Sequence, residues 1–328
     1  MNRNTFAAFC LLSAFASVFS ARCRADSLQT YFDCLTNFET YAETVWTNAN
    51  YSGAPPDAGY WGDGATTGNG GIRGNGGVAV LYATLCIAQP GDPKFTNRMA
   101  RVRQALNYNA QTHLTGGFKA VNSTNWGWYA GANSPCSTTG ADWQTALWTS
   151  EMGLACELVQ SNLPVATVSN VQRVVANEAN HRATIPPCSG FKSDTKAEEN
   201  GWDSVMLAQA AAWMTNNVSA TNWLLAAKQY LANTYAVADT TGDPLASWVT
   251  TTTLYGEFAL ENHGYFHTEY QYVAGEELGD AWLMARLADA NIAAQLTPFA
   301  EHNVLNVWTN IQHGIERRTR PTYSAALF

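Results

Sequence analysis

The chain has 328 residues, with 18 Lys and Arg against 26 Asp and Glu, a formal charge of −8 and a hydrophobic share of 46%. An acidic balance whose only cluster of basic residues is Arg317, Arg318 and Arg320 excludes a general nucleic-acid or polyanion binder, which needs a basic face. The length suffices for one large domain with a sizeable core, and no linker demands two.

The amino end comes first. Asn2 and Arg3 supply a positive start, Thr5 to Phe19 an apolar run too short to span a bilayer, and small residues follow. This pattern predicts a secretory signal peptide over residues 1–25, with cleavage after Ser20 as the alternative to Ala25. No second long apolar segment follows, so a secreted, extracellular chain without membrane attachment is expected, with residues 26–328 as one domain. Cleavage after Ala25 removes three basic and no acidic residues, leaving a formal charge of −11. Of seven cysteines, Cys10 is lost with the leader and Cys23 depends on the cut, so an even set allows full pairing and an odd set leaves a free thiol. Sequons at Asn50, Asn122 and Asn217 agree with a secretory route.

Apolar spacing and breakers predict helices over 28–48, 74–88, 94–112, 141–161, 166–182, 197–215, 220–236, 247–259, 274–292 and 297–314, with few strands. In 141–161, Ala146, Leu147, Leu154, Ala155 and Leu158 share a face; in 220–236, Trp223, Leu224, Ala227 and Leu231 do the same. Helices of this length with short connections predict an all-α arrangement of stacked hairpins, closed into a ring or left as a bundle.

Two connections are rich in glycine and aromatics. Tyr51 to Gly77 holds ten glycines, Trp61 and the lone Arg73, and Gly116 to Gly140 adds Trp126, Trp128 and Tyr129. Glycine lets backbone approach a ligand, and flat rings offer faces to sugars, so carbohydrate binding is favoured. Two polar runs then stand out. GFKSDTKAEENGWDS, from Gly190 to Ser204, leads into an apolar helix and places Lys196, Glu198, Glu199, Asn200 and Asp203 around its start. Acids there suit the helix dipole, and Asp194 or Thr195 suits a cap, but Asn200 and Trp202 serve no cap; an Asn200 amide can donate to a substrate carboxylate. ENHGYFHTEYQY, from Glu261 to Tyr272, packs His263, His267, Tyr265, Tyr270, Tyr272 and Asn262 into twelve residues, a dense set of proton-transfer groups.

The order SDTKAEENGWDS followed by ENHGYFHTEY, together with GYWGDGATTGNGGIRGNGG and DWQTALWTSEMGLA, resembles secreted polysaccharide lyases and heparinase II/III-like proteins, particularly the glucuronan and alginate lyase group. His263-Gly264 with Tyr272 also reproduces the H-G-x7-Y spacing of chondroitin and hyaluronate lyases, with Asn200 matching their upstream asparagine. The resemblance implies an (α/α) toroid, here an incomplete barrel of helical hairpins, acting without a cofactor or metal as a monomer on an acidic polysaccharide. It implies Asn200, His263, Tyr270 and Tyr272 as catalytic residues. Arg73, Trp128, Trp143, Gln144, Lys196, Glu199, Asn262 and His267 are implied to bind substrate.

β-Elimination removes the proton next to a uronate carboxylate and expels the oxygen at C4. A donor such as Asn200, His263 or Arg73 must meet the charge that builds on the carboxylate, and His263, His267, Tyr270 or Tyr272 must move the protons. Two alternatives remain open. A glycoside hydrolase on a similar ring needs facing carboxylates, drawn from Asp142, Glu151, Glu199, Asp203 and Glu269. A secreted carbohydrate-binding protein would keep the aromatic groove without turnover.

Overall fold

Ten α-helices and two short antiparallel ribbons occur among the described residues, which in this computed structural model are 26–62, 71–121, 128, 142–190 and 193–319. In chain order they are α1 (Asp26–Thr44), β1 (Trp46–Asn48), β2 (Gly59–Trp61), α2 (Ile72–Ala88), α3 (Phe95–Thr112), α4 (Asp142–Val159), α5 (Val165–Arg182), α6 (Ala197–Trp213), α7 (Ala220–Thr234), β3 (Glu261–Asn262), β4 (Tyr265–Phe266), α8 (Thr268–Ala288), α9 (Ala290–Ala300) and α10 (Val304–Thr319). The protein is mostly helical, as expected. No helix among the described residues is long and apolar enough to cross a membrane. The leader expected over 1–25 lies outside the described residues.

The chain divides into two compact units, Met1–Tyr129 with Leu147–Glu178, and Ala130–Ala146 with Ala179–Phe328. In the first, α2 packs on α3 beside the β1–β2 ribbon, in which Trp46 pairs with Trp61. Gly59 is required there: a Cβ at this position would lie 2.2 Å from the Trp46 ring. Asn75, fully buried in α2, donates to Asn109 Oδ1 at 2.9 Å and to Ala105 O at 3.3 Å and accepts from Trp61 N at 3.2 Å, joining α2, α3 and β2. The Arg98 guanidinium of α3 meets Glu39 of α1 through two bonds, 2.8 and 2.9 Å, with both side chains buried. The forked geometry offsets the desolvation of both charges. Cys86 and Cys156 are buried free thiols and Cys34 an exposed one, so the six or five cysteines do not all pair; burial pushes the Cys86 thiol up to about 11.

The second unit is built on α6. Every residue from Ala197 to Ala212 except Trp202 is buried, the mark of a helix covered on all sides rather than on one stripe. It packs against α7 and α8. Gly201 permits the α8 crossing, since a Cβ there would lie 2.8 Å from Glu277 Cβ. Arg182 and Asp203 form a buried ion pair at 3.0 Å.

The helix expected over 247–259 is absent; the segment is a series of turns. Its Val-Thr-Thr-Thr-Thr run is a poor helix former, and α7 claims its backbone. Asn233 Oδ1 accepts from Thr250 N and Thr251 N, Asn233 Nδ2 donates to Trp248 O, and Thr253 Oγ1 donates to Thr234 O. The helix expected over 274–292 begins six residues earlier, at Thr268, where His267 caps it. The helix expected over 297–314 is divided between α9 and α10 by a turn with Asn303 in the left-handed region, φ 57°.

Candidate active site

The two polar runs singled out in the sequence meet in the second unit. β3 and β4 form a hairpin whose two-residue loop is His263-Gly264, with φ 56° and 84°. Both central residues at positive φ is the turn whose twist matches a hairpin; glycine adopts it freely, and histidine is among the side chains that tolerate it. This hairpin is stitched to the segment before α6. Gly264 N donates to Ser193 O at 2.7 Å, Thr195 N donates to Glu261 O at 2.9 Å, and Asn262 Nδ2 donates to Glu198 Oε1.

At this junction the carboxylates of Asp194, Glu198 and Glu199 come together, with one oxygen from each lying within 4.8 Å of the others. Lys196, itself at φ 61°, bonds Asp194 Oδ2 at 2.5 Å and Glu199 Oε1 at 2.8 Å. Burial, and then the charge of Glu199, push the Glu198 carboxyl up to about 9. Burial also raises Glu199, against the pull of Lys196. Burial would lower the Lys196 ammonium, but Glu199 and Asp194 outweigh it and hold it above its ordinary value.

Beside the acids lies an aromatic and imidazole group that reaches the surface. His263 is exposed, with Nε2 3.3 Å from Tyr270 Oη. His267 caps α8, its Nδ1 accepting from Tyr270 N at 3.4 Å, while its ring stacks on Tyr265 with centroids 5.0 Å apart. Capping commits Nδ1 of His267 as an acceptor and leaves Nε2 for other partners. Burial, followed by Glu198, Glu199 and Glu269, raises the Tyr270 phenol above its ordinary value, so it keeps its proton near neutral pH. Tyr272 is 39% exposed, and its phenol is raised by burial and Glu276.

The remaining expected residues are distributed differently. Asn200 is buried, and its amide is spent on the backbone of Cys188: Nδ2 donates to Cys188 O at 3.0 Å and Oδ1 accepts from Cys188 N at 3.2 Å. It pins the loop preceding α6 rather than facing solvent. Trp128, expected as a stacking surface, is buried in the first unit, its ring set edge-on against His113 at 4.8 Å and Trp148 at 5.8 Å, and its Nε1 donating to Asn109 O. Arg73 lies in the first turn of α2, and Trp143 and Gln144 in the first turn of α4; their side chains fall outside the described residues. Lys196, Glu199, Asn262 and His267 all belong to the second-unit cluster.

Glu198, Asp194 and Tyr265 are the members not singled out from the sequence as site residues. A signal for Glu198 exists in the alanine-rich stretch that follows it, because a helix with no polar face must bury its charges. A cavity of about 730 Å³ in the same unit, lined by Pro186, Trp223, Tyr230 and Trp248 among others, shares no lining residue with this cluster. No protein-family model, curated protein or solved structure matches the chain.

Proposed function

We propose that the protein is a secreted polysaccharide lyase that cleaves a uronic-acid polymer of the glucuronan or alginate type by β-elimination, on an (α/α) toroid-like arrangement of helical hairpins. The observation that carries this reading is the exposed His263 with Nε2 3.3 Å from Tyr270 Oη. These are a base and an acid of different type on one accessible surface. His263 takes the proton next to the uronate carboxylate. Tyr270, whose phenol is held protonated by burial and the neighbouring acids, gives its proton to the departing C4 oxygen. Tyr265, 56% exposed and stacked on the His267 ring that meets Tyr270 edge-on, supplies a flat face for the sugar beside the pair.

A hydrolase using Glu199 fits less well. Glu199 is buried and held by Lys196, whereas a glycosidase carboxylate must face the sugar. Elimination leaves a conjugated double bond that absorbs in the ultraviolet, so a time course with glucuronan, alginate, hyaluronan and chondroitin tests the reading. A rise with a polymer that is lost in His263→Ala supports it, and flat traces with all four contradict it.

A further inference from the structure

Three oxygen-bearing side chains where β3 meets the start of α6 each keep a buried oxygen without a partner, in a way that one proton does not repair. Glu198, Glu199 and Asn262 are 1%, 7% and 2% exposed. Glu198 Oε2, Glu199 Oε2 and Asn262 Oδ1 are buried without a hydrogen-bond partner. Asn262 is the informative member, because it comes from a different element and carries no charge. Its Nδ2 is already bonded to Glu198 Oε1, which ties the amide with the orphaned carbonyl oxygen to that carboxylate. Asp194 completes the group. Buried polar atoms without partners are uncommon in native proteins and call for an occupant such as an ion or ordered water.

We propose that Asp194, Glu198, Glu199 and the Asn262 carbonyl form a binding site for a divalent hard cation of the calcium class. The donor set is all oxygen, carboxylates with one amide carbonyl, which suits calcium and not the imidazole or thiolate preference of zinc. Donors on one ion at calcium–oxygen distances of about 2.3–2.6 Å lie at most roughly 5 Å apart. The 4.8 Å limit on the three carboxylate oxygens falls inside that span. Charge agrees with it: Lys196 offsets one of three carboxylates, and a doubly charged ion offsets the other two. A proton shared between Glu198 and Glu199 satisfies their two oxygens and leaves Asn262 Oδ1 without a partner, whereas a cation serves all three residues together. The hairpin bonds from Thr195 and Gly264 hold Asn262 against the helix start, so the ligands come from two chain segments locked by backbone hydrogen bonds.

The inference is independent of the lyase reading. Full-length secreted protein, stripped with a chelator, is titrated with calcium chloride by calorimetry, with magnesium chloride in parallel. The expected result is one ion per chain with a Kd at or below about 10⁻³ M for calcium, and weaker binding of magnesium, which demands a tighter octahedron. Glu199→Gln and Asn262→Leu are expected to weaken calcium binding about tenfold or more, and calcium is expected to raise the Tm of the wild type but not of these variants. Asn262→Asp, which keeps the shape and the oxygen, is expected to bind calcium at least as tightly. No heat and no change in Tm with the wild type overturns the site whatever the variants do, as does binding unchanged in Glu199→Gln and Asn262→Leu or weakened in Asn262→Asp. Calcium binding without any elimination product leaves this site standing and removes the lyase; product formation without a calcium response does the reverse.

Discussion

Replacing Asn200 with alanine separates a structural from a catalytic asparagine. Its side chain makes two hydrogen bonds to one residue, from Nδ2 to Cys188 O at 3.0 Å and from Cys188 N to Oδ1 at 3.2 Å, and it is 1% exposed. Truncation removes both of these hydrogen bonds to the buried Cys188 backbone. An unsatisfied buried backbone group costs about 1–3 kcal/mol, so the pair together costs roughly 2–5 kcal/mol after some relaxation. For a cooperative unit of this size each kcal/mol moves Tm by about 2–4 °C, giving an expected fall of roughly 4–20 °C. Asn200→Asp keeps the acceptor for Cys188 N but sets a second oxygen against Cys188 O in a buried site, so its fall is expected to be at least as large. Thermal unfolding followed by circular dichroism and calorimetry reads both. The resemblance to lyases gives Asn200 the opposite behaviour, a folded variant without turnover. If Asn200→Ala keeps the wild-type Tm and loses its activity, the structural assignment is wrong.

Single variants Tyr270→Phe and His263→Ala are each expected to lower kcat/KM about 10²–10⁴-fold with little change in Tm, and the double variant to lose much less than the product of the two, because one proton relay is broken either way; steady-state kinetics on the responsive polymer checks this. Gly201→Ala brings a methyl within 2.8 Å of Glu277 Cβ, so α6 and α8 must separate, at about 1–3 kcal/mol measured by denaturant unfolding. Glu39→Gln removes the carboxylate that the buried Arg98 meets through two bonds and leaves it Asp92 at 3.3 Å, and is expected to cost about 1.5–3 kcal/mol. Burial alone would raise Glu39, but the bonds from Arg98 and Lys94 prevail and hold it below its ordinary value. Its contribution is therefore complete above the unfolded-state pKa and lost as pH falls through the lower folded-state value, so below about pH 4.5 the wild-type Tm should drop faster than that of Glu39→Gln.

Helices with a clean apolar stripe or a firm breaker were readable from sequence: α3 and α7 start within one residue of their expected positions. Failures arose where tertiary hydrogen bonds decide. The 247–259 segment has apolar spacing, but Asn233 and Gln229 hold it as turns through side chains that no local pattern reveals. Both polar runs were visible, and the structure joins them through backbone bonds between Thr195 and Glu261 and between Gly264 and Ser193. Individual roles were less readable, because composition does not say which way a side chain faces. Asn200 turns inward to Cys188, and Trp128, read as a sugar platform, fills the space between His113 and Trp148. His263-Gly264 matches a catalytic spacing and is at the same time the loop of a tight hairpin; that dual use places the imidazole at the surface.

An ultraviolet absorbance time course of the purified protein with glucuronan, alginate, hyaluronan and chondroitin, run beside His263→Ala and a reducing-end assay, tests elimination at the His263–Tyr270 pair itself. A steady rise with a uronic-acid polymer that disappears in the variant is expected. A flat trace with new reducing ends would identify a hydrolase, and a flat trace with none would contradict catalysis on all four polymers.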